Sequence, residues 1–455
     1  MNAKVTALLT SLCSALDQNE LVALGSDSKL LALVEQLQNE QLYFIAKNER
    51  NMDGLLSWFK NNNGVCNSEF TESCGYGMKM KEDAAAGDIV VKVPEKCFIL
   101  ADCSNNPDLN EMCTSDTTLC YMPNICLALN LLNERLNPNS FWKPYLDSLP
   151  QSYSSLLYFK KYHFDRLTPS PTFVTCARLY CKLVGLYVYL CSKLFKSENN
   201  DAAQLGKAIY FTPNNFTFQA FRWAMSTVMT RQNNVPIGGG LALVPILDML
   251  NHDPAISQSV DYDDDARHVV VYAPKSMQKG EEMKIFYGPR PNHDLFVHNG
   301  FAMINNPYDS YYFQLKFQMV ENEDEKRLKI ISRLGIEKDC FKLTLAQPLP
   351  KSLLACIHIE FAPDNVVEKW LTQSVADTLD EVVVEKPKCL DVDICRKAYV
   401  WLVSQLAVKL RVYKETLANS GQAPDEISIH INTLVNEEKM ILESTVEKLK
   451  VLLQK

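Results

Sequence analysis

The stretch LALVPILDMLNHDP, residues 241–254, runs an apolar segment into Asp248, Asn251 and His252. An acid, an amide and an imidazole at the end of a strand that reads as buried have two possible uses. They either satisfy one another and the backbone, the usual fate of buried polar groups, or face a ligand that completes them. Two further polar clusters accompany this one. TRQNN (230–234) carries Arg231 and Asn233, and KIFYGPRPNHDLFVHNGF (284–301) carries Tyr287, Arg290, His298 and Asn299. A tyrosine hydroxyl at a strand end can orient and polarise a group held beside it. The Gly75-Tyr76-Gly77 turn before a strand permits close backbone approach to a ligand, although a lone G-x-G is more often only a tight turn.

Metal and thiol chemistry find little support. The fifteen cysteines contain no C-x-x-C pair, and the tightest cluster is Cys113, Cys120 and Cys126, so no metal site is expected. The acidic run DYDDD (261–265) reads as a solvated loop. The odd cysteine count and a start that reads as an amphipathic helix point to reduced thiols in the cytoplasm or nucleus. A net charge of −8 argues against a nucleic-acid or anionic-membrane surface as the main partner.

The elements that must position these clusters follow from composition and periodicity. With 455 residues, 47% hydrophobic and 22% charged, the chain can bury a large core in two or three domains. Residues 1–50 are helix-forming. Residues 64–105 carry short β-rich runs, Ile89–Val93 and Cys97–Leu100, between Gly and Pro. Helical patterns dominate from Met122 to Ala224, including 179–195, where Lys182 and Lys193 interrupt a segment too short to read as a membrane span. FWKPYLDSLP is expected to pack between helices. Strands return over 241–286, once more at SYYFQLKFQM after Asn306, and about 325–455 reads as largely helical. Two β pieces divided by a helical insertion are expected to build a site where their loops meet.

The order of motifs (G-x-G, then D-x-x-N-H after an apolar strand, then a strand ending Phe-Tyr-Gly) resembles that of SET-domain methyltransferases. ALNLLNERLNPNSFWKPYLDSLP, FRWAMSTVMTRQNNVP and IFYGPRPNHDLFVHNGF are similar to segments of the Rubisco-methyltransferase-like group, and within it of the branch that methylates a histidine of actin. The resemblance runs from about residue 52 and becomes faint after 310. It implies an α+β fold: a SET domain over 51–306 with a helical insertion at about 120–230, preceded by a helical segment at 1–50. A mostly helical substrate-binding domain is implied over 307–455. It further implies S-adenosylmethionine as cofactor, no metal, and actin as protein partner. Neither nucleic acid nor membrane is implied, and a monomer is expected.

Carried over by position, the resemblance assigns cofactor contacts to Lys79, Asp102, Cys103, Ser104, Arg231 and Asp248. It continues them at Met249, Leu250, Asn251, His252, Asn299, Gly300 and Phe301. Lys79 stands where the family has Arg, which loses a bidentate fork, and Asp102 stands where it has Glu. Tyr287 and Asn233 take the catalytic roles, and Asn233, Leu247 and Arg290 face the target peptide. A histidine acceptor is mostly neutral at pH 7 and needs the right tautomer, which one amide can fix. Asn233 matches the residue with that role. Leu247 replaces a family Trp, so a lysine acceptor is the alternative. A SET-like scaffold that binds a partner without turnover is the alternative of another class.

Overall fold

The computed structural model describes residues 3–16, 29–41, 50–71, 77–195, 208–315, 325–385, 387–419, 421 and 424–454. Gly75 and Tyr76 of the G-x-G turn, and the 316–319 end of the predicted strand SYYFQLKFQM, lie outside them. The chain divides into two units: Met1–Phe164, Val174–Arg290 and Asp294–Phe301 in the first, Asp165–Phe173, Pro291–His293 and Ala302–Lys455 in the second.

In the first unit the two β pieces pair with each other. Strands β1 (Val65–Cys66), β2 (Ser68–Thr71), β3 (Gly77–Met80), β4 (Ile89–Pro94) and β5 (Ile99–Leu100) come from the earlier piece. Strand β6 (Gln232–Asn234) lies ahead of the later piece, where no strand is expected, and that piece supplies β7 (Leu241–Leu243), β8 (Asn251–His252), β9 (Val260–Asp263), β10 (His268–Tyr272) and β11 (Glu282–Ile285). They form three small sheets with orders β1-β4-β10-β9, β2-β3-β11-β8 and β5-β7-β6. All pairs are antiparallel except β8 with β11, where Asn251 faces Lys284 and His252 faces Ile285. Each sheet therefore joins residues from both sides of the helical insertion. The run read as Cys97–Leu100 is shorter than expected, because Glu95–Cys97 turn as a 3₁₀ segment after Pro94.

The helices of this unit are α1 (Ala3–Leu16), α2 (Lys29–Glu40), α3 (Met52–Asn61), α4 (Pro107–Ser115), α5 (Pro123–Leu136), α6 (Lys143–Ser148), α7 (Lys161–Leu167), α8 (Thr172–Phe195) and α9 (Phe218–Arg231). Helices α7 and α8 begin or end across the unit boundary. By length and composition α8 could cross a membrane, yet Tyr180, Val184, Tyr187, Leu190 and Cys191 are buried in the first unit. Gln41 donates to Tyr187 Oη at 2.7 Å and accepts from Phe218 N at 2.9 Å, tying the N-terminal helices to α8 and α9. Thr217 caps α9 through Ala220 N, and the helix ends on Arg231, where its carbonyl dipole favours a cation.

The second unit pairs β12 (Tyr311–Gln314) with β13 (Cys340–Leu343). It adds α10 (Glu325–Arg333), α11 (Lys351–Phe361), α12 (Asp364–Thr372), α13 (Val375–Val382) and the long helices α14 (Val392–Asn419) and α15 (Glu426–Gln454). Strand β13 departs from the helical reading of 325–455. Phe341 and Leu343 alternate inward, but two apolar residues give no periodic signal without their partner strand.

Glu438 of α15 is buried in this unit, accepting from Tyr413 Oη at 2.7 Å and Ser170 Oγ at 2.8 Å. Burial pushes its carboxyl up to about 7. Between the solution value and that figure the folded state holds a proton the unfolded chain has released. Stability must then fall as pH rises through this window, by about 3 kcal/mol in total. Unfolding of Glu438→Gln, followed from pH 5 to 8, is expected to lose this slope; an unaltered slope would place the titration elsewhere.

Candidate active site

Residues of β6, the turn after β7, β9 and the segment after β11 surround a cavity of about 730 Å³ within the first unit. Arg231, Asn233, Leu247, Asp248, Tyr287, Arg290 and Asn299 line it together, with Gln258, Val260, Asp261, Tyr262, Phe286, Asp294 and His298. The β5-β7-β6 sheet brings Asn233 opposite Ala242, so the ends of α9 and β7 meet at one wall.

The apolar strand does not run on into Asp248. After β7 the backbone reverses at Ile246, which is buried with φ 71° and ψ −49°. This is close to the strained γ-turn conformation and costly for a β-branched residue. The reversal starts a 3₁₀ turn, Leu247–Met249, that places the Asp248 side chain at the cavity.

That side chain is fully buried. Oδ2 accepts from Tyr145 Oη at 2.6 Å and lies 3.6 Å from Arg231 Nη1. Arg231 Nη1 also donates to the Asp248 carbonyl at 2.6 Å. Burial pushes the Asp248 carboxyl up, against the pull of Arg231 and Tyr145. Burial opposes the Arg231 charge too, but the neighbouring Asp248 carboxylate outweighs it and holds the guanidinium protonated. Asp248 Oδ1 and Arg231 Nε are buried without a hydrogen-bond partner among the described residues. One acceptor and one donor are thus left over on side chains that line the cavity.

Tyr287 is held from two sides. Its Oη donates to the Leu250 carbonyl at 2.6 Å, its N–H donates to His252 Nδ1 at 3.2 Å, and its ring stacks on His252 at 4.9 Å between centroids. Burial pushes the phenol up to about 12, so it stays neutral. His252 Nδ1 lies between the Tyr287 N–H at 3.2 Å and the Ile285 carbonyl at 3.4 Å, and which of the two it bonds depends on the ring's tautomer; Nε2 is buried with no partner among the described residues, and burial lowers this imidazole. Asn233 Nδ2 donates to the Arg231 carbonyl at 3.0 Å, which leaves Oδ1 as the free face of the amide's hydrogen-bonding end. Arg290 donates to Asn299 Oδ1 at 3.0 Å from the turn that leads into π-helical residues Leu295–Asn299.

The remaining predicted residues stand outside the cavity lining. Lys79 pairs with Glu69 at 3.3 Å on the outer part of β3. Asp102 caps Ser104 N at 2.9 Å, and Cys103 turns with φ 54°. Met249 and Leu250 are buried, and the Asn251 amide donates to Glu282 Oε1 at 2.8 Å across β8 and β11. Gly300 adopts φ 81° with the Ser154 carbonyl 3.2 Å from where a Cβ would stand, so any side chain there would be strained. Phe301 ends the unit's last segment. Asp261 and Asp263 of the acidic run accept from the Tyr262 and Ala266 backbone N–H groups.

Two residues near this wall escape sequence reasoning. Arg50 donates from Nε to the Ser148 carbonyl at 2.6 Å, and its Nη2 lies 3.8 Å from Met249 Sδ. Tyr145 belongs to FWKPYLDSLP, which was expected only to pack between helices. Arg50 sits beside no motif, Tyr145 lies in a segment that carries the resemblance but is given no site role, and each reaches the site through tertiary contacts alone.

The SET domain family matches residues 75–288. The chain is 29% identical over 443 residues to the actin-histidine N-methyltransferase of Danio rerio, covering 92% of this chain and 72% of that protein. It is 28% identical to the protein of that name from Xenopus tropicalis, covering 92% and 74%. Among solved structures it is similar to the SET domain of LSMT bound to lysine and AdoHcy, with TM-score 0.67, 17% identity, and 89% and 92% of the chains covered. Rubisco LSMT bound to AdoMet gives TM-score 0.66 at 18% identity, covering 90% and 93%. The fold is that of these SET structures.

Proposed function

We infer, for a chain whose residues 75–288 match the SET domain family, that it is an S-adenosylmethionine-dependent protein methyltransferase acting on a histidine of actin. The names of the relatives supply the reaction. The observation that carries it in this chain is the single cavity lined by Arg231, Asn233, Asp248 and Tyr287.

The residues present suit the cofactor. Its amino-acid end carries an ammonium and a carboxylate, and the residues lining the cavity include Asp248 and Arg231, which keep one carboxylate oxygen and one guanidinium N–H buried and unpartnered among the described residues. These two residues would hold that end, Asn299 lines the same cavity, and His252 Nε2 is buried and unpartnered among the described residues. When bound, the cofactor supplies a methyl group on a sulfonium, which leaves by in-line displacement.

What the protein contributes is alignment and a polar surround. The Tyr287 proton is committed to the Leu250 carbonyl, so the oxygen lone pairs face the remaining space. A neutral hydroxyl there acts as a fixed dipole toward the positively charged methyl and not as a base. Asn233, pinned through Nδ2, offers Oδ1 to the N–H of an imidazole. That bond keeps the proton on one ring nitrogen and the lone pair on the other, aimed at the methyl. The ring that had taken the methyl would be an imidazolium with its N–H still bonded to Asn233 Oδ1, and it would lose that proton to water, since an amide oxygen is no base. Leu247 closes the wall with an apolar surface.

A lysine acceptor is the second reading, favoured by the same Leu247, since an alkyl chain packs well against it. Two peptides identical except for His or Lys at the target position separate the readings. The unmodified chain is expected to turn over the His peptide faster; preference for Lys would move the assignment to lysine. Mass spectrometry of actin incubated with the chain and labelled cofactor tests the partner, and an unlabelled histidine would remove actin. In this reading the chain works as a monomer in the cytoplasm or nucleus.

A further inference from the structure

Asp248 is held by a group that the reaction itself does not name. Tyr145 is fully buried on α6, and that short helix is fixed on several sides. Arg135 and Lys143 both pair with Asp147 at 2.9 Å, Trp142 Nε1 donates to the Cys97 carbonyl, and Arg50 donates to the Ser148 carbonyl. From this rigid base the Tyr145 hydroxyl reaches Asp248 Oδ2 at 2.6 Å, while Arg231 stands 3.6 Å from the same oxygen. Oδ1 of the same carboxylate is left buried and without a partner.

We propose that Tyr145 is a positioning residue of the cofactor site, fixing one oxygen of Asp248 so that the other is presented, ionised, to the cationic end of the bound cofactor. The proposal rests on the methyltransferase reading above. The asymmetry of the carboxylate carries it. A carboxylate with two equivalent oxygens rotates freely, whereas one short hydrogen bond from a rigid helix selects a single orientation. The groups facing Asp248 are Arg231 from α9, Tyr145 from α6, Arg50 ahead of α3, Tyr153 after α6 and Tyr287 after β11. Of these, only Arg231 and Tyr145 are within reach of its carboxylate among the described contacts. Burial already pushes this carboxyl up. Without the hydroxyl it takes a proton more readily, and a protonated Asp248 no longer attracts an ammonium.

The test is the affinity for S-adenosylmethionine, by calorimetry from pH 6 to 9, in the unmodified chain and in Tyr145→Phe. Affinity should fall about tenfold in the variant at pH 8, the loss of one hydrogen bond to a charged group. The decline on acidification should begin about one to two pH units higher than in the unmodified chain. Placing 3-fluorotyrosine at 145, a stronger donor of the same shape, should move the onset the other way, and it keeps the test open should Tyr145→Phe fold poorly. In the Tyr145→Phe background, Asp248→Asn should abolish the pH dependence. A loss equal at every pH would mean a purely structural role and overturn the proposal, as would unchanged affinity. If the unmodified chain binds no S-adenosylmethionine at all, the methyltransferase reading falls, and Tyr145's role with it.

Discussion

Tyr287→Phe is expected to lower kcat by about 10²–10³, the usual consequence of losing one preorganised polar group at a reacting centre, while cofactor affinity changes little. The argument starts from the ring's fixtures. Stacking on His252 and the backbone bond to that residue both survive the substitution. What disappears is the oxygen, together with its 2.6 Å bond to the Leu250 carbonyl. The loss should therefore appear in kcat more than in KM, since the oxygen matters to the methyl in flight more than to the resting cofactor. Because burial pushes the phenol up to about 12, the kcat of the unmodified chain should show no ionisation of Tyr287 between pH 7 and about 10. Single-turnover rates with a histidine peptide measure this, and a variant with undiminished kcat would remove Tyr287 from the chemistry.

Arg231→Met should be the most damaging substitution for the fold of the first unit. Asp248 then keeps its burial and loses the one cation within reach of its carboxylate among the described residues, and breaking a buried pair from one side costs about 3–5 kcal/mol. The carboxyl would respond by holding a proton, so cofactor binding should disappear along with the stability. Denaturant unfolding reads the first effect and calorimetry the second. Arg231→Met combined with Asp248→Leu should recover much of the stability and none of the binding, because no charge is then left unpaired. If the single variant is within about 0.5 kcal/mol of the unmodified chain, the ordinary range for surface changes, the pair is not the structural element described.

The clusters that composition and spacing single out converge because each lies at the end of a regular element. Arg231 ends α9, Asn233 sits in β6, Leu247 and Asp248 follow β7, and Tyr287 follows β11. Element ends are what periodicity and turn residues mark best. The interleaving of the two β pieces was foreseeable in outline, but not which strands pair, because short strands carry no register information of their own. Ile246 shows a different limit. Its side chain continues the apolar pattern, so nothing local announces a left-handed backbone; the tertiary environment imposes it. Tyr145 and Arg50 were invisible for a third reason. Their partners are Asp248 and Ser148 with Met249, and nothing in a helix or its flank predicts which distant carboxylate, carbonyl or sulfur a side chain will meet. His358 makes the same point in the second unit, where a buried imidazole is satisfied by the Val382 carbonyl and Tyr399 Oη.

The pairing of β3 with β11 and of β4 with β10 also governs how such a chain comes to be made. Met78 finds its partner in Met283, and Val93 finds Val269. On the ribosome, at roughly 5–20 residues per second, the earlier strands wait many seconds with their edges open before the later ones emerge. The insertion helices, built on near contacts, can close during that interval; the sheets cannot. Sheets of such high contact order form slowly, so the cavity, whose walls lie at the ends of the later strands, should be the last part of this unit to acquire its shape. In a newly made chain, binding competence should trail helix content, and the waiting strand edges are where a chaperone would find most to hold.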